Sequence, residues 1–147
     1  MEREVKPNIK SFPNWMEEVM TPAKSHRELR VYQLTFQSAT QIHEVTKKVP
    51  SEEKYGLTDQ IRRSSRSVCA NIAEACRRTK YPKNFVSKLT DSDTEATETL
   101  VWLDFALHFG YLTSDQHKEL SDQYDHICSQ LTLMMSEPNQ WTPRING

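Results

Sequence analysis

The stretch YGLTDQIRRSSRSVCANIAEACRR, residues 55–78, decides the fold of this chain. At about 100° per residue, its apolar and small side chains fall on one face of a helix and its arginines gather on the opposite face. The inward face is narrow, because Ser, Ala and Cys occupy many of its positions. Small side chains let a neighbouring helix approach closely. The predicted inward positions are Ile61, Ser65, Val68, Ile72 and Cys76, flanked by Ser64, Cys69 and Ala75.

Composition favours a single helical domain. The chain has 147 residues, with only three Gly and seven Pro, and most of the prolines lie near the two ends. A long interior without helix breakers favours helices over a turn-rich β fold. No long apolar run is present, and the first residues lack the apolar region of a signal peptide, so we expect a cytoplasmic protein that does not enter a membrane. Three Cys without C-x-x-C spacing predict reduced thiols and no zinc site.

The first predicted helix precedes this stretch. It begins at a capping box formed by Ser25 and Glu28, and Pro50 forbids its continuation. A connector over residues 51–56 then leads into the second helix, which begins near Thr58. Apolar residues recur at spacings of three and four along the first helix, so we expect its inward face to consist of Leu29, Tyr32, Phe36, Ala39, Ile42, Val45 and Val49.

Two more amphipathic helices follow. The third is predicted to end at Gly110, and the fourth begins at a second capping box, Thr113 with Gln116. Ser92 and Asp93 interrupt the apolar face of the third helix. A buried carboxylate needs a partner, which we expect from a Ser or Arg side chain of the second helix. The predicted inward residues are Phe85, Leu89, Ala96, Leu100, Leu103 and Leu107 in the third helix, and His117, Leu120, Tyr124, Ile127, Leu131 and Met134 in the fourth.

Four such helices joined by short turns predict an all-α fold, an up-down-up-down four-helix bundle over residues 25–137. Residues 1–24 are a predicted N-terminal extension with an apolar strip, and residues 138–147 are a predicted C-terminal tail. The extension has two readings: it lies on the domain or on a neighbouring subunit, or it is a loosely attached tail. The apolar strip consists of Trp15, Met16, Val19 and Met20.

Polar residues at fixed positions in the central stretch carry a resemblance. YGLT at 55–58, QIRR at 60–63, SV at 67–68 and NIAE at 71–74 are similar to the signature of bacterial four-helix-bundle proteins encoded in intervening sequences of large-subunit ribosomal RNA genes. That family includes the accessory variability protein of diversity-generating retroelements. The resemblance covers about residues 28–112. It implies a homo-oligomeric ring, a pentamer, with RNA, DNA or a reverse transcriptase as partners.

Charge is strongly segregated along the chain, although the formal net charge is only −1. Residues 62–88 contain eight Lys and Arg against Glu74 alone, a net charge of +7. Residues 89–137 contain Lys118 against ten acidic residues, a net charge of −9. The basic segment could meet phosphates, or it could meet the acidic helices of a neighbouring copy in a head-to-tail ring.

Two hypotheses follow from the residues and the resemblance. In the first, the protein is a non-catalytic accessory factor that binds nucleic acid, RNA above all, through a basic face on the second helix. In the second, it is a structural or protein-binding oligomer whose arginines serve the subunit interface. The lack of an aromatic among the arginines of the second helix counts against the first. The candidate nucleic-acid-binding residues are Arg62, Arg63, Arg66, Arg77, Arg78, Lys80 and Lys83, and the candidate interface residues are Asn71 and Glu74.

A third, less favoured hypothesis is that the protein is a magnesium-dependent nucleotide pyrophosphohydrolase. Glu95 with Glu98, and Asp122 with Asp125, superficially match the paired carboxylates with which all-helical nucleotide pyrophosphohydrolases bind magnesium. On a helical wheel, however, the four carboxylates lie off the apolar faces and do not converge. We therefore predict no catalytic activity, no metal and no cofactor.

Overall fold

The structure is a computed structural model that describes residues 25–141, and this part of the chain is helical with no strand. The four long helices are α1 (Arg30–Val45), α2 (Asp59–Cys76), α3 (Pro82–His108) and α4 (Ser114–Ser136), followed by a short α5 (Pro138–Trp141). The prediction of an all-α fold with four long helices is confirmed. The N-terminal extension and residues 142–147 of the tail lie outside the described residues, whereas the tail residues 138–141 form α5.

Each long helix runs antiparallel to the one before it. The Arg62 side chain near the start of α2 reaches Thr46 just beyond the end of α1. Glu74 near the end of α2 pairs with Lys88 near the start of α3. α2 contacts α1 and α3, and α4 contacts α3 and α1, so the four helices enclose one core.

The inward face predicted for α2 is confirmed. Ile61, Val68 and Ile72 are at most 1% exposed, and Ser64, Ser65 and Cys69 between them are buried as well. Ser64 and Thr99 of α3 place their hydroxyl oxygens 2.8 Å apart, with both side chains fully buried. The narrow face of α2 therefore packs closely against α3 and leaves the arginine side of the helix outward.

The start of the first helix differs from the prediction. Ser25 accepts a hydrogen bond from the Arg27 backbone N–H, but it caps a single 3-10 turn, His26–Glu28. Leu29 is extended (φ −71°, ψ 125°), and α1 begins only at Arg30. The predicted connector over residues 51–56 is also helical, since a 3-10 turn (Ser51–Glu53) and a π turn (Lys54–Thr58) lead directly into α2.

The inward face predicted for α1 is displaced. Tyr32 and Ile42 are buried as expected, but Phe36 and Ala39 are only half-buried. Thr35 and Ser38 are fully buried instead. Both polar side chains are satisfied, because Thr35 donates to the Tyr32 carbonyl and Ser38 donates to Gln123 of α4. The core of the bundle is therefore partly polar along α1, which an argument from apolar spacing does not detect.

The junction between α3 and α4 follows the prediction. Gly110 has φ +78°, the left-handed conformation that ends a helix, and Tyr111 N–H donates back to the Ala106 carbonyl. Thr113 and Gln116 form the predicted reciprocal capping box.

The partner expected for Asp93 was wrong. Ser92 is buried and donates to the Val68 carbonyl of α2, as an interruption of the apolar face requires. The carboxylate of Asp93, which is half-buried, lies instead beside the Cys128 thiol of α4. The side chain therefore points to α4, away from the arginines of α2.

Candidate nucleic-acid interface

The seven basic residues predicted to bind nucleic acid occupy different environments. Arg62 is half-buried, and its guanidinium donates to the Thr46 hydroxyl (2.9 Å) and to the His43 carbonyl (3.1 Å). These acceptors lie at the C-terminal end of α1, where unpaired carbonyls and the helix dipole favour a cation. Arg62 thus ties α2 to α1, and this guanidinium already has acceptors within the chain.

Arg63 is bound by two carboxylates of α3. Its guanidinium nitrogens lie 2.6 Å from Glu98 and 3.3 Å from Glu95. The hydrogen bond from Arg63 to Glu95 is the main cause of a raised pKa of this guanidinium, and Glu98 adds to it. Much of the charge of Arg63 is therefore neutralised within the chain.

The same contacts explain part of the charge segregation. Lys88 pairs with Glu74 at 2.9 Å, so basic and acidic side chains of α2 and α3 meet each other along the contact between these helices. Glu74, predicted at a subunit interface, has this intramolecular partner. Asn71, the other predicted interface residue, is half-buried and donates to the Ser67 carbonyl of its own helix at 3.0 Å.

Arg66 differs from Arg63 and Lys88 in its surroundings. It is exposed, and its guanidinium lies 3.2 Å from Nδ1 of His43 on α1. Because a guanidinium can only donate, this contact requires His43 to accept at Nδ1. No carboxylate among the described residues forms an ion pair with Arg66, so its positive charge is left unbalanced.

The remaining predicted cations cluster in the turn between α2 and α3, which we call the basic turn (Arg77, Arg78, Lys80 and Lys83). All four are exposed, and none forms an ion pair with any residue that the structure describes. Successive hydrogen bonds hold the backbone: Arg78 N–H donates to Ala75, and Tyr81 N–H donates to Arg78, each at 2.9 Å. The cations are therefore displayed on an ordered turn.

Two residues, Thr79 and Pro82, restrict the backbone of this turn. Thr79 is buried, which anchors the middle of the turn against the bundle. Pro82 occupies the first turn of α3, where its missing N–H costs nothing. A residue before proline is restricted to extended conformations, and Tyr81 accordingly has φ −125° and ψ 85°.

Positive charge accumulates at this end of the bundle. Burial lowers the pKa of His26, and repulsion by Arg27 and Arg77 lowers it further. His26 therefore lies close enough to the basic turn to sense its charge. Like Arg66, the cations of the basic turn form no ion pair with a carboxylate among the described residues.

Sequence reasoning missed one residue of this surface. Tyr81 lies between Lys80 and Lys83 and is 59% exposed. Tyr81 lies beyond the second helix, the only element in which an aromatic among the cations was expected to matter. The signal was nevertheless present, because a Tyr-Pro pair in a Lys- and Arg-rich turn fixes an aromatic side chain at the start of a helix.

Three of the four carboxylates considered for a magnesium site form ion pairs with basic side chains. Glu95 and Glu98 both bind Arg63, and Asp122 pairs with Lys118 at 2.8 Å along α4. Across residues 25–141, no three His, Cys, Asp or Glu side chains lie close enough together to hold a metal ion.

Burial raises the pKa of all three cysteine thiols. Burial raises the pKa of Cys69 to about 11 and that of Cys76 to about 12. Burial, with the nearby carboxylate of Asp93, raises the pKa of Cys128 to about 12. All three are free, as predicted. A thiol with such a pKa is a poor nucleophile at neutral pH, so these residues serve the packing of the bundle.

None of the helices in the described part of the chain is both long and apolar enough to span a lipid bilayer.

Comparisons with known proteins agree on the family. A solved structure of a protein of unknown function from the S23 ribosomal protein family of Bacteroides thetaiotaomicron is similar, with a TM-score of 0.63 and 26% identity. The match covers 71% of this chain and 97% of that protein. No curated protein matches. The family model described as 23S rRNA-intervening sequence protein matches residues 27–133. This chain therefore belongs to the 23S rRNA-intervening sequence protein family.

Proposed function

We propose that this protein binds RNA as a non-catalytic accessory factor and that the basic turn is the contact site. The supporting observation is the contrast between two groups of cations. Arg63 and Lys88 are neutralised by carboxylates of the same chain, whereas Arg77, Arg78 and Lys80 are exposed without such a partner among the described residues.

An uncompensated cluster of cations is unfavourable in the free protein, because the charges repel one another. Burial and Arg27 are the larger causes of the lowered pKa of His26, and Arg77 of the basic turn adds to them. Phosphates relieve the repulsion among the cations and release the counterions that surround the nucleic acid. The proposed contact therefore moves from the middle of α2, as the sequence suggested, to the end of α2 and the turn that follows.

The proposed contact predicts by how much the affinity for RNA should fall as the salt concentration rises. Each phosphate contact on a single strand adds a slope of about −0.7 to the dependence of log K on log salt concentration, so four contacts predict about a 50-fold loss between about 50 and about 200 mM salt. A protein that binds through apolar contacts or base edges alone would show a much smaller loss.

Matched charge variants test the site. Arg77→Gln with Arg78→Gln removes two cations of the basic turn, and Lys47→Gln with Lys48→Gln removes two at the other end of the bundle. In a filter-binding titration with structured RNA, the first pair should weaken binding by about 10- to 100-fold and halve the salt slope. The control pair, Lys47→Gln with Lys48→Gln, should change the affinity for RNA and the salt slope little. Equal effects of the two pairs, or negligible retention of RNA by the wild type at low salt, would remove the proposal.

A second candidate function is assembly as a homo-oligomer, a pentameric ring, and one observation favours it. Val101, Phe105 and Phe109 form a row on the outer side of α3, exposed by 45%, 45% and 53%. The Phe105 and Phe109 rings stack with their centroids 6.0 Å apart. A continuous exposed apolar row on a helix is typical of a protein contact.

Sedimentation velocity tests this assembly. Phe105→Ser removes the centre of the row, and Leu133→Ser removes an equally exposed side chain (52%) from α4 as a matched control. If the row is a subunit interface, the first variant should sediment as a smaller species and the second should sediment as the wild type. A monomeric wild type, or an oligomer that survives Phe105→Ser, counts against the row as the interface.

A further inference from the structure

We propose that Tyr81 stacks on an unpaired base, so that the nucleic acid bound at the basic turn is single-stranded or looped. This inference rests on the proposed function and names the class of RNA that the same site prefers. Tyr81 is the aromatic side chain of the basic turn, 59% exposed, with Lys80 and Lys83 on either side in sequence. A groove or patch of cations that track a backbone, combined with aromatic faces, is how single strands are bound without sequence preference.

The ring of Tyr81 is available to a ligand. It makes no ring contact or side-chain hydrogen bond with any residue in the described part of the chain. The other strongly exposed tyrosine, Tyr55, precedes α2 and lies at the opposite end of the bundle, where Lys54 already contacts its ring. Tyr81 is thus placed where the unpaired cations are.

The backbone of Tyr81 is held in place before any ligand arrives. Its N–H donates to the Arg78 carbonyl, and its carbonyl accepts from Phe85 N–H, each at 2.9 Å. Phe85 is 1% exposed, so the carbonyl of Tyr81 is tied to the core of the bundle. Pro82 restricts the conformation further. A fixed backbone lowers the entropy that a side chain loses when it binds.

A duplex presents fewer accessible base faces to this site than a single strand does. The bases of a duplex are stacked on each other, so their faces are hidden, whereas the phosphates remain accessible to the cations. The cations should therefore bind both forms, and the aromatic ring should add affinity only for unpaired bases.

Two substitutions separate these contributions. Tyr81→Phe keeps the aromatic face, and Tyr81→Leu keeps an apolar side chain without one. The probes are a fluorescent single-stranded oligoadenylate RNA and the same RNA annealed to its complement, measured by anisotropy. Tyr81→Leu should weaken single-strand binding by about 5- to 100-fold and leave duplex binding and both salt slopes unchanged, since no charge is lost. Tyr81→Phe should bind as the wild type does. Unchanged melting temperatures of both variants show that the fold is intact.

The outcomes distinguish the inference from the function on which it rests. If Tyr81→Leu binds the single strand as tightly as the wild type, while Arg77→Gln with Arg78→Gln weakens it, the inference is wrong and the proposed function stands. Equal losses on single strand and duplex also overturn it, because stacking on an unpaired base does not explain them. If the wild type binds neither probe, the proposed function and the inference fail together.

Discussion

The contact between α2 and α3 gives the most quantitative prediction about stability. The hydroxyls of Ser64 and Thr99 are 2.8 Å apart and fully buried. Thr99 donates to the Glu95 carbonyl at 2.9 Å, so its proton is used, and Ser64 is left to donate to Thr99. Ser64→Ala removes that donor without stranding a proton, and Thr99→Val leaves Ser64 only the more distant Ile61 carbonyl at 3.3 Å.

Each single substitution should therefore lower the free energy of unfolding by about 1 kcal/mol, the usual net value of one hydrogen bond. The double variant removes both polar groups of the pair and should cost less than the sum of the two by about 0.5–1 kcal/mol. In a chain of this size, about 1 kcal/mol corresponds to a fall in Tm of roughly 3 °C.

Urea unfolding followed by circular dichroism measures these values, with all variants at one protein concentration, because assembly would add a concentration-dependent term. Thr132→Val is the control, since Thr132 makes the same kind of bond to its own helix, α4, but is exposed. It reports the effect of a Thr-to-Val change on a helix surface. Single costs that add up fully in the double variant would refute the pairing of Ser64 with Thr99.

Three further predictions concern the titratable groups. Because the folded state raises the pKa of Cys69 to about 11 and of Cys76 to about 12, it holds these protons more tightly than the unfolded chain does. Stability should therefore fall as pH rises above about 8.5, by on the order of 1 kcal/mol per thiol near pH 10, and urea midpoints at neutral and alkaline pH measure this. Arg77→Gln should raise the pKa of His26, and an NMR titration of the imidazole signals measures this change. Because the folded state depresses this pKa, the contribution of His26 to stability is present above about pH 6.5 and is lost on acidification. An unchanged imidazole titration would show that the two side chains are not close. Arg63→Gln should cost less than about 1 kcal/mol of stability, because its ion pairs are partly exposed, and it should leave the RNA titration curve nearly unchanged.

The sequence predicted much of the fold because its strongest signals are local. The inward face of α2, the glycine after α3 and the capping box of α4 each depend on spacing within a few turns of one helix. The displaced face of α1 could not be predicted in this way. Ser38 is satisfied by Gln123 of α4 and Thr35 by a carbonyl of its own helix, and a count of apolar spacings reveals neither bond.

The candidate site was predictable in composition but not in arrangement. Charge counting found the basic segment, yet it could not show that Arg63 faces Glu95 and Glu98 across the contact with α3. Those pairs depend on the register between two helices, which no single-helix pattern contains. The cations of the basic turn, which form no ion pair with a described residue, lie at the point where the chain reverses between α2 and α3.

Amide chemical shifts locate the contact most directly. When structured RNA is titrated into the labelled protein at low salt, the largest shift changes should fall on residues 77–83 and on His26, and they should fade as salt is raised. Changes centred instead on Arg62 and Arg63, or on the acidic surface of α4, or no changes at any RNA concentration, would contradict the account.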